Sequence, residues 1–255
     1  MSKAKEHYRL GMPLRSDKEI NYIDELAGVL SNSRMSDIEK MMNFPMYVPR
    51  QSMASFLAKY EIFKKILDVH GSIVECGVCY GSGLMSWAMF SAIFEPVNYS
   101  RRVIGFDTFS GFPGISSKDK KDKDPNAKKG GMCVDSMEEL LKCGALFDRN
   151  RPVGHINKIE LVKGDITETA ERYVKANPYL VVSLLYLDLD LYEPTKAAIK
   201  VFLPRMPKGA VIAFDELNHP DWPGETTAVL ESCGIRGLRI RRFPFDSVRS
   251  YAVIE

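Results

Sequence analysis

The chain has 255 residues, 45% of them hydrophobic, which is ample for a full core and most simply reads as one domain with additions. Lys and Arg total 35 against 33 Asp and Glu, a net charge of +2, so the charge balance calls for neither nucleic acid nor an anionic membrane as partner. The longest apolar runs fall far short of a bilayer span, and the polar start Met1-Ser2-Lys3-Ala4-Lys5-Glu6-His7 lacks the apolar centre of a secretion signal, so a cytoplasmic location is expected. Cys76, Cys79, Cys133, Cys143 and Cys233 are odd in number and suggest no disulfide framework. Cys76 and Cys79 have the spacing of a zinc half-site without a second pair to complete it, and Cys76 reads as a small hydrophobe in an apolar run.

Residues 1–70 read as a mainly helical cap. Apolar spacing over Asp17 to Val29 predicts a short amphipathic helix with Ser16 or Asp17 as its cap. Met41 to Arg50 is a greasy loop broken by two prolines. Ser52 to Val69 carries Phe56, Leu57, Tyr60, Phe63, Ile66 and Leu67 at helical spacing, and Gly71 ends it. Over residues 71–255 strands and helices alternate. Strands are expected at Ile73 to Cys76, Arg102 to Asp107, Ile159 to Val162, Leu180 to Leu187 and Ala210 to Phe214. Helices are expected from Gly81 to Phe94, Thr167 to Lys175, Glu193 to Phe202 and Thr226 to Cys233. Leu238 to Arg241 and Tyr251 to Ile254 read as closing antiparallel strands. This succession predicts an α/β fold, a doubly wound, mostly parallel sheet with helices on both faces. A lysine-rich stretch, Ser116 to Gly131 within residues 114–135, breaks the rhythm. It is either a solvated insertion or a lid whose lysines meet an anionic substrate.

The first strand ends in Glu75-Cys76-Gly77-Val78-Cys79-Tyr80-Gly81-Ser82-Gly83. Glycines there let backbone approach a ligand, but the spacing is not the G-x-G-x-x-G of a dinucleotide site, which disfavours an NAD-linked oxidoreductase. An acid just before the loop suits a cationic amino group such as that of a methionine moiety. Asp107 closes the second strand, where a ribose-binding carboxylate falls in such folds. Gly164-Asp165-Ile166 follows the third strand, placed to flank an adenine ring. In this order the three features suit S-adenosylmethionine.

Two further strands end in acids: Asp188 and Asp190 after Leu187, and Asp215 and Glu216 after Phe214. In a parallel sheet both ends lie at the carboxyl edge, where open α/β folds bind ligands. Four carboxylates in one place need a cation or a catalytic proton. Hard oxygen donors suit Mg²⁺ or Ca²⁺, and such a metal chelates a substrate hydroxyl and lowers its pKa while a nearby carboxylate removes the proton. Helix capping would account for Asp190 or Glu193, but not for acid pairs at two strand ends. His219, three residues after Glu216, either serves as a second base or shapes its loop.

The chain resembles the macrocin O-methyltransferase family, which includes the mycinamicin and novobiocin sugar methyltransferases. The resemblance runs over roughly residues 45–255. It rests on Glu75-Cys76-Gly77 with Gly81-Ser82-Gly83, on Gly105 to Pro113, on Lys163-Gly164-Asp165, on Tyr186 to Thr195 and on Phe214-Asp215-Glu216. It implies a class I methyltransferase fold with a helical N-terminal cap, S-adenosylmethionine as donor, Mg²⁺ dependence and a deoxysugar hydroxyl as acceptor, on a natural product or a nucleotide sugar. It also implies a homo-oligomer built through the N-terminal helices. By position, Glu75, Gly77, Tyr80, Ser82, Asp107, Ser110, Asp165, Ile166 and Asp188 look like donor contacts. Asp188, Asp215 and Glu216 look like metal ligands, Asp190 like the general base, and Tyr47, Arg50 and Tyr192 like acceptor contacts under the cap. The family usually has two aspartates where this chain has Asp215-Glu216, and the lysines of the insertion suit a nucleotide diphosphate better than a neutral macrolide.

Two rival readings stand beside this one. A catechol-type phenol would also present two oxygens to a metal, with Met42, Phe44, Met46 and Tyr47 as an apolar slot. A protein that holds the nucleoside cofactor without chemistry is a rival from another class, disfavoured by the presence of all four acids.

Overall fold

A computed structural model describes residues 16–119 and 126–255 of the chain. The first residues of the cap, and Lys120, Lys121 and Lys123 of the insertion, lie outside these. The N-terminal part holds α1 (Asp17–Asn32), α2 (Asp37–Met42) and α3 (Arg50–Lys64). Ser16 and Ser36 begin the first two, each closing a reciprocal capping box with the glutamate three residues on, Glu19 and Glu39. Only α3 of the three sinks into the body, through Ala58, Ile62 and Phe63. Ile38, Met41, Met42, Phe44 and Met46 stay exposed on this N-terminal part. Among the described residues no helix is long and apolar enough to cross a membrane.

From Ser72 onward the chain forms β1 (Ser72–Cys76), α4 (Ser82–Phe94), β2 (Val103–Asp107), α5 (Met137–Arg149), β3 (Ile159–Lys163), α6 (Ile166–Ala176), β4 (Val182–Leu187), α7 (Tyr192–Phe202), β5 (Val211–Phe214), α8 (Pro223–Ser232), β6 (Arg241–Phe243) and β7 (Asp246–Val253). The seven strands lie in the order β3-β2-β1-β4-β5-β7-β6. The first five are parallel, and β7 returns antiparallel beside β5. The expected doubly wound sheet is therefore present. The central strands are apolar on both faces because helices cover both. Ile73, Leu184 and Val211 meet α3 and α4 on one side. Val74, Leu185 and Ile212 meet α6, α7 and α8 on the other.

Three elements depart from the sequence reading: helix α2, where no element was expected, helix α5 and the closing hairpin. Helix α5 was not expected, because its buried stripe is Leu140, Gly144 and Asp148, only one of which is a large apolar residue. The closing hairpin also starts later and its second strand is longer, so that Arg249 falls inside β7 rather than before it.

Candidate active site

The register of the sheet aligns the carboxyl ends of its middle strands. Cys76 pairs with Phe106 on one side and with Leu187 on the other, and Leu187 pairs with Phe214. One residue further along, Gly77, Asp107, Asp188 and Asp215 form a row across β1, β2, β4 and β5. The chain reverses its winding direction between β1 and β4, which is where doubly wound sheets bind ligands. A cavity opens there. Gly77, Asp107, Asp165, Ile166, Asp188 and Asp190 line it, and Phe112 and Pro113, just before the insertion, with Met132 and Val134 at its end, wall it.

Local chemistry sets each of these residues. Gly77 has φ of +90°, and a Cβ there would fall 1.7 Å from the carbonyl oxygen of Asp188, so only glycine lets β1 and β4 end side by side. The Asp107 carboxylate accepts three backbone N–H groups, from Val78 (2.7 Å), Cys79 (2.9 Å) and Phe109 (2.7 Å), and so holds the glycine loop in shape. Asp165 caps α6 by accepting from the Thr167 N–H at 2.9 Å. Asp190 sits at φ of +60°, the left-handed region, in the turn between β4 and α7.

Other residues named from the sequence stand apart from the cavity wall. Glu75 points into the α3 face of the sheet, where it accepts from Trp87 Nε1 at 2.6 Å beneath the loop. Tyr192 is buried, with its hydroxyl tied to Glu231 and Lys196. Tyr47 spends its hydroxyl on Ser33 (3.0 Å) and Met35 (3.4 Å) within the cap, and Arg50 is exposed at the start of α3. Tyr80, Ser82 and Ser110 are exposed. The His219 Nδ1 accepts the Asp221 N–H at 3.2 Å and lies 3.6 Å from Glu216 Oε2.

The acid cluster is larger than the sequence suggested, and it has a cation built in. Glu225, in the first turn of α8, is fully buried and accepts from the Glu216 N–H at 3.2 Å. Burial first, then Asp215 and its other acidic neighbours, pushes its carboxyl well above the usual range. Burial, then Asp190 and Asp215, likewise raises Glu216 to about 9. Burial, Asp215 and Asp190 raise Asp188. Asp215 itself is held by Arg249, whose Nε lies 2.8 Å from Oδ1, and by the Tyr186 hydroxyl. The register explains this: Phe214 pairs with Ser250, so Arg249 comes opposite Asp215. Lys59, buried on α3, stands over the Tyr186 ring at 5.4 Å.

Does this set suit a divalent cation? The donors are hard oxygens, and Glu216 Oε2 and Glu225 Oε2 are buried without a hydrogen-bond partner. Both features fit. Among the described residues, however, no three His, Cys, Asp or Glu side chains converge as a ready-made metal shell. Asp188, Asp215 and Glu216 are thus brought to one edge but not into one coordination sphere, because Arg249 holds Asp215.

Glu75 yields a measurable consequence. Desolvation lifts its carboxyl from 4.5 to about 8, against the opposing charge of Lys59. A folded-state pKa raised in this way favours the protonated form, so stability is greatest below the unfolded pKa and falls as pH rises through about 8. Glu75→Gln is expected to flatten the decline of the thermal midpoint between pH 5 and 8, an interval read from the same shift. Parallel midpoint curves for the two proteins would rule this out.

Comparison with known proteins adds a separate line of argument. The sequence profile of the macrocin-O-methyltransferase family (TylF) matches residues 48–229. The structure of CalS11, a calicheamicin methyltransferase, is 35% identical, with 94% of this chain and 93% of that one covered and a TM-score of 0.90. An apo structure of CalS11, described as a TDP-rhamnose 3'-O-methyltransferase of calicheamicin biosynthesis, gives 33% identity, coverage of 94% and 95%, and a TM-score of 0.82. The O-methyltransferase NovP shares the fold at 18% identity, with coverage of 82% and 81% and a TM-score of 0.62. Among curated protein sequences none matches this chain.

Proposed function

Because this chain belongs to the macrocin-O-methyltransferase family and is an O-methyltransferase, we propose that it methylates a deoxysugar hydroxyl on a nucleoside diphosphate, using S-adenosylmethionine and Mg²⁺. The observation that carries the reading is the cavity at the chain reversal, where the glycine loop of β1 and the Asp188-Leu189-Asp190 turn of β4 share one wall. The nucleotide-sugar choice draws on the stated substrate of CalS11 and on the exposed Lys128 and Lys129 of the insertion. The exposed apolar residues of the cap favour assembly into a homo-oligomer, and a light-scattering mass of a single chain would count against that part.

A bound donor would supply an electrophilic methyl group, and a Mg²⁺ ion, which Asp188 and Glu216 would hold with Asp215 only if Asp215 leaves Arg249, would supply charge that acidifies a hydroxyl. The rest is the work of this chain. Gly77 gives the donor backbone to lie against, and Asp107 keeps that loop rigid through its three N–H groups. Phe112, Pro113, Met132 and Val134 keep water from the cavity. Asp190 takes the proton of the acceptor hydroxyl as the hydroxyl oxygen bonds to the methyl carbon and the methyl carbon–sulfur bond breaks, its electron pair staying on sulfur in the thioether product. Labelled methyl transfer to TDP- and UDP-deoxysugars and to finished glycosides tests this. Turnover is expected on nucleotide sugars, lost in EDTA and restored by Mg²⁺. Equal turnover of free glycosides, or indifference to EDTA, would remove the corresponding part.

A further inference from the structure

Asp119 belongs to the lysine-rich stretch, yet it is 2% exposed. One oxygen, Oδ2, closes a local turn by accepting from the Ser116 N–H (2.8 Å) and hydroxyl (2.6 Å). The other, Oδ1, crosses 73 residues of sequence to accept the Tyr192 N–H at 2.6 Å. Tyr192 is the first residue of α7, and the cap position before it is Leu191, whose side chain has no acceptor. Helix α7 is therefore capped in trans, by a carboxylate from the loop that walls the cavity.

The surroundings are shaped around this contact. A Cβ on Gly224 would fall 2.2 Å from Asp119 Oδ1, 2.6 Å from the Tyr192 nitrogen and 2.9 Å from the Asp190 carbonyl oxygen. Three segments thus meet at a point where α8 offers a glycine. Lys118 lies over the Tyr192 ring at 3.9 Å and pairs with Glu231 of α8 at 2.5 Å. Phe112, from the same loop, packs against Trp222 at 5.7 Å. The Asp188-Leu189-Asp190 turn leads straight into the capped end of α7, so its strained φ at Asp190 is held from the far side by Asp119.

We propose that Asp119 is a positioning residue that locks the cavity-covering loop to the start of α7 and so sets Asp190 for proton removal. This rests on the reading of Asp190 as base and of the cavity as donor site. Asp119→Ala removes both acceptors, and Gly224→Ala leaves Asp119 in place while crowding its Oδ1. Both are expected to lower kcat on the order of 10²-fold, as misplacement of a reacting group does. Both should also weaken S-adenosylhomocysteine binding and blunt the change in Trp222 emission on binding, with secondary structure unchanged by circular dichroism. Ser116→Ala removes only the local turn and is expected to keep most of the activity. Equal losses in Ser116→Ala and Asp119→Ala, wild-type kcat in Asp119→Ala, or failure of both Asp119→Ala and Gly224→Ala to fold would each overturn the proposal. Failure of the wild-type protein to bind S-adenosylhomocysteine would instead strike the donor reading itself.

Discussion

Replacing Asp190 by asparagine lowers kcat by roughly 10²- to 10⁴-fold, the usual contribution of a positioned base, while S-adenosylhomocysteine affinity stays near that of the wild type. Asparagine is the informative choice because Asp190 has φ of +60°. Asparagine tolerates the left-handed region nearly as well as aspartate, so the turn keeps its shape and only the proton acceptor is lost. Alanine at the same position would mix the loss of the base with backbone strain. Calorimetry with S-adenosylhomocysteine and single-turnover methyl transfer separate the two quantities. A folded Asp190→Asn enzyme with normal kcat would end the assignment of this residue as base.

Gly77→Ala destabilises the protein by more than about 2 kcal/mol and removes measurable donor binding. Two penalties combine. The first is the φ of +90°, where any L-residue with a side chain is strained. The second is the 1.7 Å approach of the added carbon to the Asp188 carbonyl oxygen, a backbone atom that cannot swing aside. Relief requires parting the ends of β1 and β4, whose bond from the Asp188 N–H to the Cys76 oxygen measures 2.8 Å. That movement displaces the cavity wall and the acid pair together. Urea unfolding of Gly77→Ala that matches the wild type would contradict this account.

Much of the active edge was legible in the chain because strands write their ends plainly. The apolar runs that stop at Asp107, Asp188 and Asp215 are buried strands, and the acids follow where burial ends. Adjacent β4 and β5 place two of these acids side by side, as alternating strand and helix implies. Family membership then settles the enzyme class that the residues alone had left beside a non-catalytic rival. The roles of Glu75 and Tyr192 were harder to read. A strand residue's face depends on what packs there, and Trp87 draws Glu75 away from the cavity wall. Tyr192 looked like an acceptor contact by the family resemblance, and its hydroxyl is tied to Lys196 one turn on and to Glu231, which is distant in sequence.

The lysine-rich stretch shows the same limit from the other direction. Composition marks Ser116 to Gly131 as solvated, yet Asp119 within it is buried and caps a helix far along the chain. No local pattern announces a cap supplied in trans, since the helix it serves begins after Leu191 with no capping residue of its own.

By itself, then, the sequence determined the order of the strands and of the helices other than α2 and α5, the glycine loop and the acids at the strand ends, because hydrophobic period and turn chemistry act over a few residues. Only the tertiary structure decided what those acids face. Arg249 reaches Asp215 through the antiparallel return of β7, Glu225 joins from α8, and Lys59 enters from α3. Charges buried together interact through space at distances unrelated to their separation along the chain, so the electrostatics of the site belongs to the fold.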